Sequence, residues 1–321
     1  MHSFEELSAA FMARFDVQHF PSHPATLYEP AGYFLGIGGK RIRPVLCLMG
    51  NELFGDIDPD AWHLAASIEL FHNFTLIHDD IMDKAPLRRG MPTVHEKYGA
   101  STALLTGDVM MVIAYDYLSK IQAQHIRPIM HIYNQTAREV CEGQQMDMDF
   151  EKLDRVDLEE YQRMIGLKTS VLLAASLRIG AILGGAGLGN QGHLYDFGKN
   201  LGLAFQVQDD YLDAFGDPEK FGKQVGGDIV AGKKTFLLIK TLEVATAEQH
   251  RRIDELKKAD PARKIGGMLE IFKACGVDAW AMELKEKYME AAYQALEDIA
   301  VLSRRKEPLK QLAAFLVQRE Y

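Results

Sequence analysis

Two aspartate-rich stretches dominate this chain: Leu76-Ile-His-Asp-Asp-Ile-Met-Asp83 and Phe205-Gln-Val-Gln-Asp-Asp-Tyr-Leu-Asp213. Each contains Asp-Asp-x-x-Asp within a run of apolar, helix-favouring residues. Because positions i and i+4 share one face of a helix, the first and last aspartates of each motif point the same way. The flanks are too apolar for a solvated helix face. The pattern therefore predicts two acidic helix faces that line a cavity and bracket a charged ligand.

Clustered carboxylates indicate a cation, since they repel one another unless positive charge lies between them. Mg²⁺ is the cation favoured here, because it takes a few carboxylates and completes its shell with water and substrate phosphate. Lysines and arginines beside glycine accompany the motifs, in Gly38-Gly-Lys-Arg-Ile-Arg-Pro44, Arg88-Arg-Gly90 and Gly232-Lys-Lys-Thr235. Such residues suit phosphate groups, and glycine lets the backbone approach a ligand closely. Together they predict a site for a magnesium-bound diphosphate.

The remaining pattern predicts an all-α fold. Apolar residues recur at helical spacing over Ala103 to Tyr117, Ile129 to Val140, Tyr161 to Leu183 and Leu194 to Phe215. An Asn-Gly hairpin signal and a row of alternating strands are both missing from the sequence. Linker-like segments are missing too, so residues 1–321 are expected to form a single domain.

Composition narrows the functional class. The chain has 321 residues, 47% of them hydrophobic, and a formal net charge of -9, which disfavours a nucleic-acid surface. Its three cysteines are scattered, which favours a reducing compartment and disfavours a zinc site. The longest apolar run, Val171 to Gly185, is interrupted by Arg178, so a membrane span is not expected. The N-terminal segment Met1-His-Ser-Phe-Glu-Glu-Leu7 is acidic and lacks the basic start and apolar core of a signal peptide, which favours a cytoplasmic protein.

The ordered set of motifs resembles the trans-isoprenyl diphosphate synthases, or polyprenyl synthetases. The matching segments are the Gly38 to Pro44 stretch, the first aspartate motif with Arg88-Arg-Gly90, Gly166-Leu-Lys-Thr169, the second aspartate motif, and Gly232 to Thr235. The resemblance implies the isoprenoid synthase fold, with helices around a deep central cavity, and a homodimer. It also implies a Mg²⁺-dependent prenyltransferase that condenses isopentenyl diphosphate with dimethylallyl, geranyl or farnesyl diphosphate, both of them small-molecule partners.

Residue roles follow from the charges and from this resemblance. The expected metal ligands are Asp79, Asp83 and Asp209, with Asp80, Asp210 and Asp213 as auxiliary acidic residues. The allylic diphosphate is expected at Arg88, Lys168, Lys223 and Lys233, and isopentenyl diphosphate at Lys40, Arg43, His72 and Arg89. Thr169 and Gln206 are expected to stabilise the allylic cation, completing the catalytic set. His72 lies nearly two helical turns before Asp79 and so shares its face, although a plain core histidine is the alternative.

Product length is expected to depend on Phe74 and Thr75, which precede Asp79 by five and four residues. A phenylalanine there should stop the growing tail after a few isoprene units, which favours geranylgeranyl diphosphate, with farnesyl diphosphate as the alternative. Phe74 as ordinary core packing is the competing interpretation. Two further functions stay open: a class I terpene cyclase, which normally carries a different second metal motif, and a non-catalytic partner subunit, which normally lacks one aspartate motif.

Overall fold

The structure, a computed structural model, describes residues 1–16, 18–216 and 225–317. The chain divides into two compact units. The first comprises residues 1–134, 175–192 and 301–308, and the second comprises residues 135–174, 193–300 and 309–321. The expectation of a single domain over residues 1–321 stays a prediction.

Helices make up nearly all of the regular structure in the described residues. They are α1 (Phe4–Phe15), α2 (Ala25–Gly36), α3 (Ile42–Glu52), α4 (Pro59–Met82), α5 (Val94–Tyr98), α6 (Ala100–Leu118), α7 (Ala123–Phe150), α8 (Leu158–Ile165), a π-helix (Gly166–Ser170), α9 (Val171–Leu183), α10 (Leu188–Phe215), α11 (Gly227–Ala231), α12 (Phe236–Val244), α13 (Ala247–Leu256), α14 (Pro261–Ala274), α15 (Val277–Glu297) and α16 (Ser303–Val317). Two short antiparallel strands, β1 (Leu87–Arg88) and β2 (Met91–Pro92), form one hairpin. The predicted all-α class is confirmed.

Helix α4 carries the first aspartate motif at its C-terminal end. It begins with a strong start signal, because the Asp58 side chain accepts a hydrogen bond from the Asp60 amide and Pro59 occupies the first turn. Within the first unit, α4 packs mainly against α6 and also against α3. Most residues of its N-terminal two thirds are buried. The motif therefore extends from a firmly packed helix, which limits how far its carboxylates can move.

The second unit has its own apolar core. Phe236 of α12 is fully buried there among Tyr161, Val207 and Phe272. Helix α8 starts with a reciprocal capping box between Asp157 and Glu160. These contacts fix the helices that carry the second aspartate motif and the Lys168 segment.

Three local features depart from the sequence expectations. The helix predicted from Tyr161 to Leu183 is interrupted by the π-helix, a rare geometry that is frequent at functional sites. The hairpin after α4 was not expected, since its turn is Arg89-Gly90 rather than Asn-Gly. The stretch Leu158–Leu183 is also longer than the apolar run expected from the sequence. By length and composition alone it could cross a membrane, but 78% of its most apolar window is buried within the protein.

Candidate active site

The first aspartate motif divides its three carboxylates between different environments. Asp79 is half-buried and Asp83, which ends α4, is exposed. Asp80 is buried, and both of its oxygens accept hydrogen bonds from Arg88: Nε lies 3.0 and 2.8 Å from them, and one terminal nitrogen lies 2.8 Å from Oδ1. Such bidentate pairs are strong and geometrically specific. Asp80 therefore holds a guanidinium group, whereas Asp79 and Asp83 share the other face.

The hairpin after α4 determines where the two neighbouring arginines lie. Arg89 and Gly90 have φ angles of 53° and 77°, as a two-residue type I′ turn requires at both central positions. A left-handed conformation costs a non-glycine residue about 1–2 kcal/mol, so the surrounding contacts must stabilise Arg89. Its guanidinium lies against Gly39, where an added Cβ would come within 2.7 Å of one terminal nitrogen. Glycine at position 39 thus permits this close approach.

A cluster of positive charge surrounds His72. Arg43 donates a hydrogen bond to His72 Nε2 at 3.0 Å. Burial, and then the charges of Arg43, Arg89, Arg88 and Arg41, lower the pKa of His72 well below 6.5. Burial lowers the pKa of Arg43 to about 10, an effect that the nearby charges of Glu69 and Asp79 oppose. His72 is therefore neutral. Because its Nε2 accepts the hydrogen bond from Arg43, its proton lies on Nδ1, and this hydrogen bond orients the Arg43 side chain.

Sequence reasoning missed Arg41, which is almost fully buried. It pairs with the buried Glu69 of α4 and donates to the Leu35 carbonyl oxygen at 3.0 Å. Asn73 also donates to Glu69 at 2.8 Å. Arg41 has a left-handed φ of 51° between the predicted ligands Lys40 and Arg43. Only the spacing of Glu69 and Asn73, one turn apart on the motif helix, could have indicated this network.

The two predicted chain-length residues lie on different sides of α4. Phe74 is half-buried and packs edge-on against His78 at a centroid distance of 4.8 Å. It also packs against Phe71 at a centroid distance of 5.6 Å. His78 contacts the Leu104 carbonyl oxygen of α6 at 3.1 Å. Thr75 instead donates to the His72 carbonyl oxygen at 2.8 Å. Phe74 thus belongs to an aromatic group between α4 and α6.

The second aspartate motif also separates its carboxylates. Asp209 and Asp213 are half-buried, whereas Asp210 is buried. Asp210 accepts hydrogen bonds from Gln206 Nε2 at 2.8 Å, the Tyr161 hydroxyl at 3.0 Å and the Phe236 amide at 3.1 Å. Burial is the main reason that its pKa is raised to about 7. Asp210 therefore links α10 to α8 and to the start of α12.

Asp213 holds the start of α11 in place. Its side chain accepts from the Asp228 amide at 2.9 Å, and its carbonyl oxygen accepts from the Gly226 amide at 2.6 Å. Lys233, which is exposed, lies 3.6 Å from the Asp228 carboxylate. Lys223, predicted as an allylic diphosphate ligand, lies outside the described residues.

Lys168 and Thr169 lie on the π-helix, which two glycines allow to pack closely. A Cβ on Gly143 of α7 would lie 2.8 Å from Lys168 Cα, and one on Gly202 of α10 would lie 2.8 Å from Ser170 Cα. Lys168 pairs with Asp147 of α7 at 2.6 Å. Asp147 was also missed by sequence reasoning, although it follows Gly143 by one turn and therefore shares its helix face.

The chemistry of the carboxylates fits Mg²⁺. Over residues 1–16, 18–216 and 225–317, no group of three or more histidine, cysteine, aspartate or glutamate side chains is arranged to hold a metal ion alone. Mg²⁺ does not require such a group, because it uses one or two carboxylates together with substrate phosphates and water. Asp79 and Asp83 in the first unit, and Asp209 in the second, are the motif carboxylates that fit this use. Asp80 and Asp210 are already engaged by other side chains.

Known proteins match this chain over nearly its full length. The polyprenyl synthetase family model matches residues 24–273. A geranylgeranyl diphosphate synthase from Methanosarcina mazei is 36% identical over 303 residues, covering 94% of this chain and 92% of the relative. A crystal structure of geranylgeranyl pyrophosphate synthase is 40% identical, with a TM-score of 0.94 and full coverage of both chains. A polyprenyl synthase from Caulobacter crescentus CB15, solved with calcium and isoprenyl diphosphate, is 28% identical, with a TM-score of 0.88 and coverage of 99% and 97%.

The chain belongs to the polyprenyl synthetase family. Its predicted isoprenoid synthase fold and its predicted class, a trans-prenyltransferase enzyme, are both confirmed.

Proposed function

We propose that this enzyme condenses isopentenyl diphosphate with an allylic diphosphate to give a short-chain all-trans prenyl diphosphate, with geranylgeranyl diphosphate as the main product. The main support for this proposal is that the middle and outer carboxylates of both aspartate motifs lie in different environments. In each motif the middle carboxylate is buried and engaged by protein groups, whereas the outer carboxylates lie together on another helix face. Family membership supports the same reaction class.

Loss of diphosphate from the allylic substrate is the difficult step, because it separates charge. Asp79, Asp83 and Asp209 would hold Mg²⁺, which supplies Lewis-acid stabilisation to the departing diphosphate when bound. Arg88, fixed by Asp80, and Lys168, fixed by Asp147, add positive charge at set positions. Positive groups that are already oriented stabilise developing negative charge without reorganisation. Lys233 completes this set, and Lys223 belongs to the same proposal.

The basic cluster around His72 is proposed to bind the diphosphate of isopentenyl diphosphate through Lys40, Arg43 and Arg89. Burial, and then the charges of Arg88 and Arg41, lower the pKa of Arg89. The charge of Arg89 in turn contributes, after burial, to the lowered pKa of Arg43. An anion with several phosphate oxygens relieves the repulsion between these positive charges. Arginine is the residue best suited to such bidentate phosphate contacts.

Carbon–carbon bond formation then follows within the site. The alkene of isopentenyl diphosphate attacks the allylic cation, and a proton leaves the new chain, with the released diphosphate as its proposed acceptor. The Gln206 amide oxygen and the Thr169 hydroxyl are proposed to stabilise the cation by their partial negative charge. Water must be excluded during this step, because it would capture the cation.

Product length is proposed to depend on Phe74 and Thr75. The Phe74 ring packs against the rings of Phe71 and His78, with centroid distances of 5.6 and 4.8 Å, and these contacts are proposed to hold it in place as the obstacle. This favours geranylgeranyl diphosphate, and farnesyl diphosphate is the alternative. The proposed compartment is the cytoplasm.

A homodimer is proposed on the exposed face of α6. Leu104, Leu105 and Val112 lie there with exposures of 50%, 57% and 55%. Large apolar side chains grouped on one helix face indicate an interaction surface. Light scattering of the purified protein tests this, because replacing Leu105 and Val112 by glutamate should convert a dimer into a monomer. A monomeric wild type at micromolar concentration would contradict it.

The function itself is tested by product formation in matched aspartate variants. Asp79→Ala and Asp209→Ala should each lower kcat by about 10³-fold or more, since each removes stabilisation that is made mainly in the transition state. Chelation of divalent metal should abolish activity. Asp254→Ala is the control, because Asp254 is exposed on α13. Near-wild-type turnover in either motif variant, or in the presence of chelator, would overturn the mechanism.

A further inference from the structure

We propose that Asp210 is a positioning residue: its carboxylate fixes the Gln206 amide so that Oε1, and not Nε2, is presented to the allylic substrate. The inference rests on the proposed prenyltransfer and adds a role for the middle aspartate of the second motif. Asp80, at the same place in the first motif, holds the Arg88 guanidinium instead. The two motifs therefore share a sequence pattern but use its buried member differently.

The hydrogen-bond geometry determines the orientation of the amide. Gln206 and Asp210 lie one turn apart on α10, with Gln206 Nε2 2.8 Å from Asp210 Oδ1. An ionised carboxylate has only acceptors, and a primary amide has donors only on its nitrogen. Nε2 must therefore face Asp210, and since the amide is planar, Oε1 points away from it.

The carboxylate itself is prevented from turning. Its second oxygen accepts from the Tyr161 hydroxyl at 3.0 Å and from the Phe236 amide at 3.1 Å. The Tyr161 and Phe236 rings also pack edge-on, with a centroid distance of 4.7 Å. Groups from three segments thus hold Asp210, which is almost fully buried. A carboxylate held this firmly can impose one orientation on its neighbour.

The orientation of the Gln206 amide determines which end of its dipole faces the allylic substrate. An amide oxygen directed at a developing carbocation stabilises it, whereas an amide N–H₂ in the same place destabilises it. The orientation affects the transition state more than the bound substrate, because the positive charge develops only on ionisation. Changes in kcat, with little change in KM, are therefore the expected signature.

The test reverses the hydrogen bond and then restores the charge of the pair. In Asp210→Asn, the single oxygen accepts from Tyr161 and Phe236, so the new amide nitrogen faces Gln206 and the glutamine must turn its Oε1 inward. In the double variant Gln206→Glu with Asp210→Asn, one glutamate oxygen accepts from that amide nitrogen and the other is presented outward. Asp254→Ala is the control, since this carboxylate is exposed on α13, where it pairs with Lys257.

Steady-state rates are measured with isopentenyl and farnesyl diphosphates and Mg²⁺ at pH 8, alongside thermal unfolding. Asp210→Asn should lower kcat by about 10- to 100-fold, with the KM for farnesyl diphosphate changed by less than about threefold. In the double variant, kcat should rise at least about tenfold above that of Asp210→Asn. In Asp254→Ala, kcat should stay within about threefold of wild type. Wild-type kcat in Asp210→Asn, or no recovery in the double variant, overturns the inference.

Two further readouts keep the test decisive. If Asp210→Asn does not fold, the double variant is compared with Gln206→Glu alone, where two carboxylates face each other. The inference then requires the added Asp210→Asn change to raise kcat, which a purely structural role for Asp210 would not do. Absence of any prenyl product from the wild type would instead overturn the proposed function, so the two failures are distinguishable.

Discussion

Gly143 should be intolerant of even one added methyl group, because it packs directly against the backbone of the π-helix. A Cβ at this position would lie 2.8 Å from Lys168 Cα and 2.8 Å from the Leu167 carbonyl carbon. Carbon atoms in contact prefer a separation of about 3.5 Å. The Lys168 amide nitrogen would lie closer still, at 2.4 Å. The Lys168 segment would thus have to retreat by at least about 0.7 Å, since backbone atoms cannot rotate aside as a side chain can.

The expected cost of Gly143→Ala appears in both stability and turnover. Overpacking of this kind destabilises by about 1–3 kcal/mol. A displacement approaching 1 Å can lower a rate by about 10²-fold when it moves groups that act on the substrate. Because Lys168 and Thr169 both lie on the displaced segment, kcat should fall by about 10- to 100-fold. Incorporation of radiolabelled isopentenyl diphosphate and the Tm measure the two effects.

Gly166→Ala is the matched control, since it changes the first residue of the same π-helix. A Cβ there meets no atom within 4 Å, and the backbone is helical with φ of -52°. Alanine is favoured over glycine in a helix by about 1 kcal/mol, so Tm should be equal or higher, with kcat within about threefold. Equal kcat in Gly143→Ala and Gly166→Ala would refute the reasoning.

Three further predictions concern the first unit and the substrate partition. Because the pKa of His72 is lowered in the folded protein, the unfolded chain binds a proton there more readily. The contribution of His72 to the free energy of unfolding is therefore fully present above pH 6.5 and falls as the pH decreases. His72→Gln should reduce the slope of the free energy of unfolding against pH by up to about 1.4 kcal/mol per pH unit. Phe74→Ala should lengthen the product, because further apolar tail gains about 25 cal/mol per Å² buried. Arg43→Ala should raise KM chiefly for isopentenyl diphosphate, and Lys233→Ala chiefly for the allylic substrate.

Each of these has its own measurement and contrary result. Urea unfolding between about pH 5 and pH 8 tests His72, and an unchanged slope in His72→Gln would contradict the assignment. Chromatography of dephosphorylated products tests Phe74, and an unchanged product distribution would place the obstacle elsewhere. Steady-state kinetics tests the two cations, and equal shifts of both KM values in both variants would remove the partition.

The helical parts of the fold and the metal carboxylates follow from local rules in the sequence. The i, i+4 spacing of Asp79 and Asp83 needs only a helix, and an apolar run with a capped start supplies one. The partners of the middle aspartates do not follow from local rules. Asp80 meets Arg88 because a hairpin turns the chain back, and that turn uses a left-handed arginine that no propensity favours.

Ion pairs between residues that only tertiary packing brings together could not be predicted from the sequence either. Arg41 had no predicted role, whereas Lys40 and Arg43 in the same segment were predicted to bind diphosphate. The structure shows Arg41 buried against Glu69, a partner that lies on another helix and cannot be read from the segment itself. Asp147 reaches Lys168 only because Gly143 lets the π-helix approach α7. The π-helix itself has no known local signature in this stretch, since its residues also suit an α-helix.

The identity of the product decides the proposed function, and mass spectrometry determines it. Purified protein is incubated with isopentenyl diphosphate, Mg²⁺ and, in separate reactions, dimethylallyl, geranyl or farnesyl diphosphate. Geranylgeranyl diphosphate is the expected main product from each primer. A cyclic hydrocarbon, or an allylic substrate returned without elongation, would contradict the proposed function.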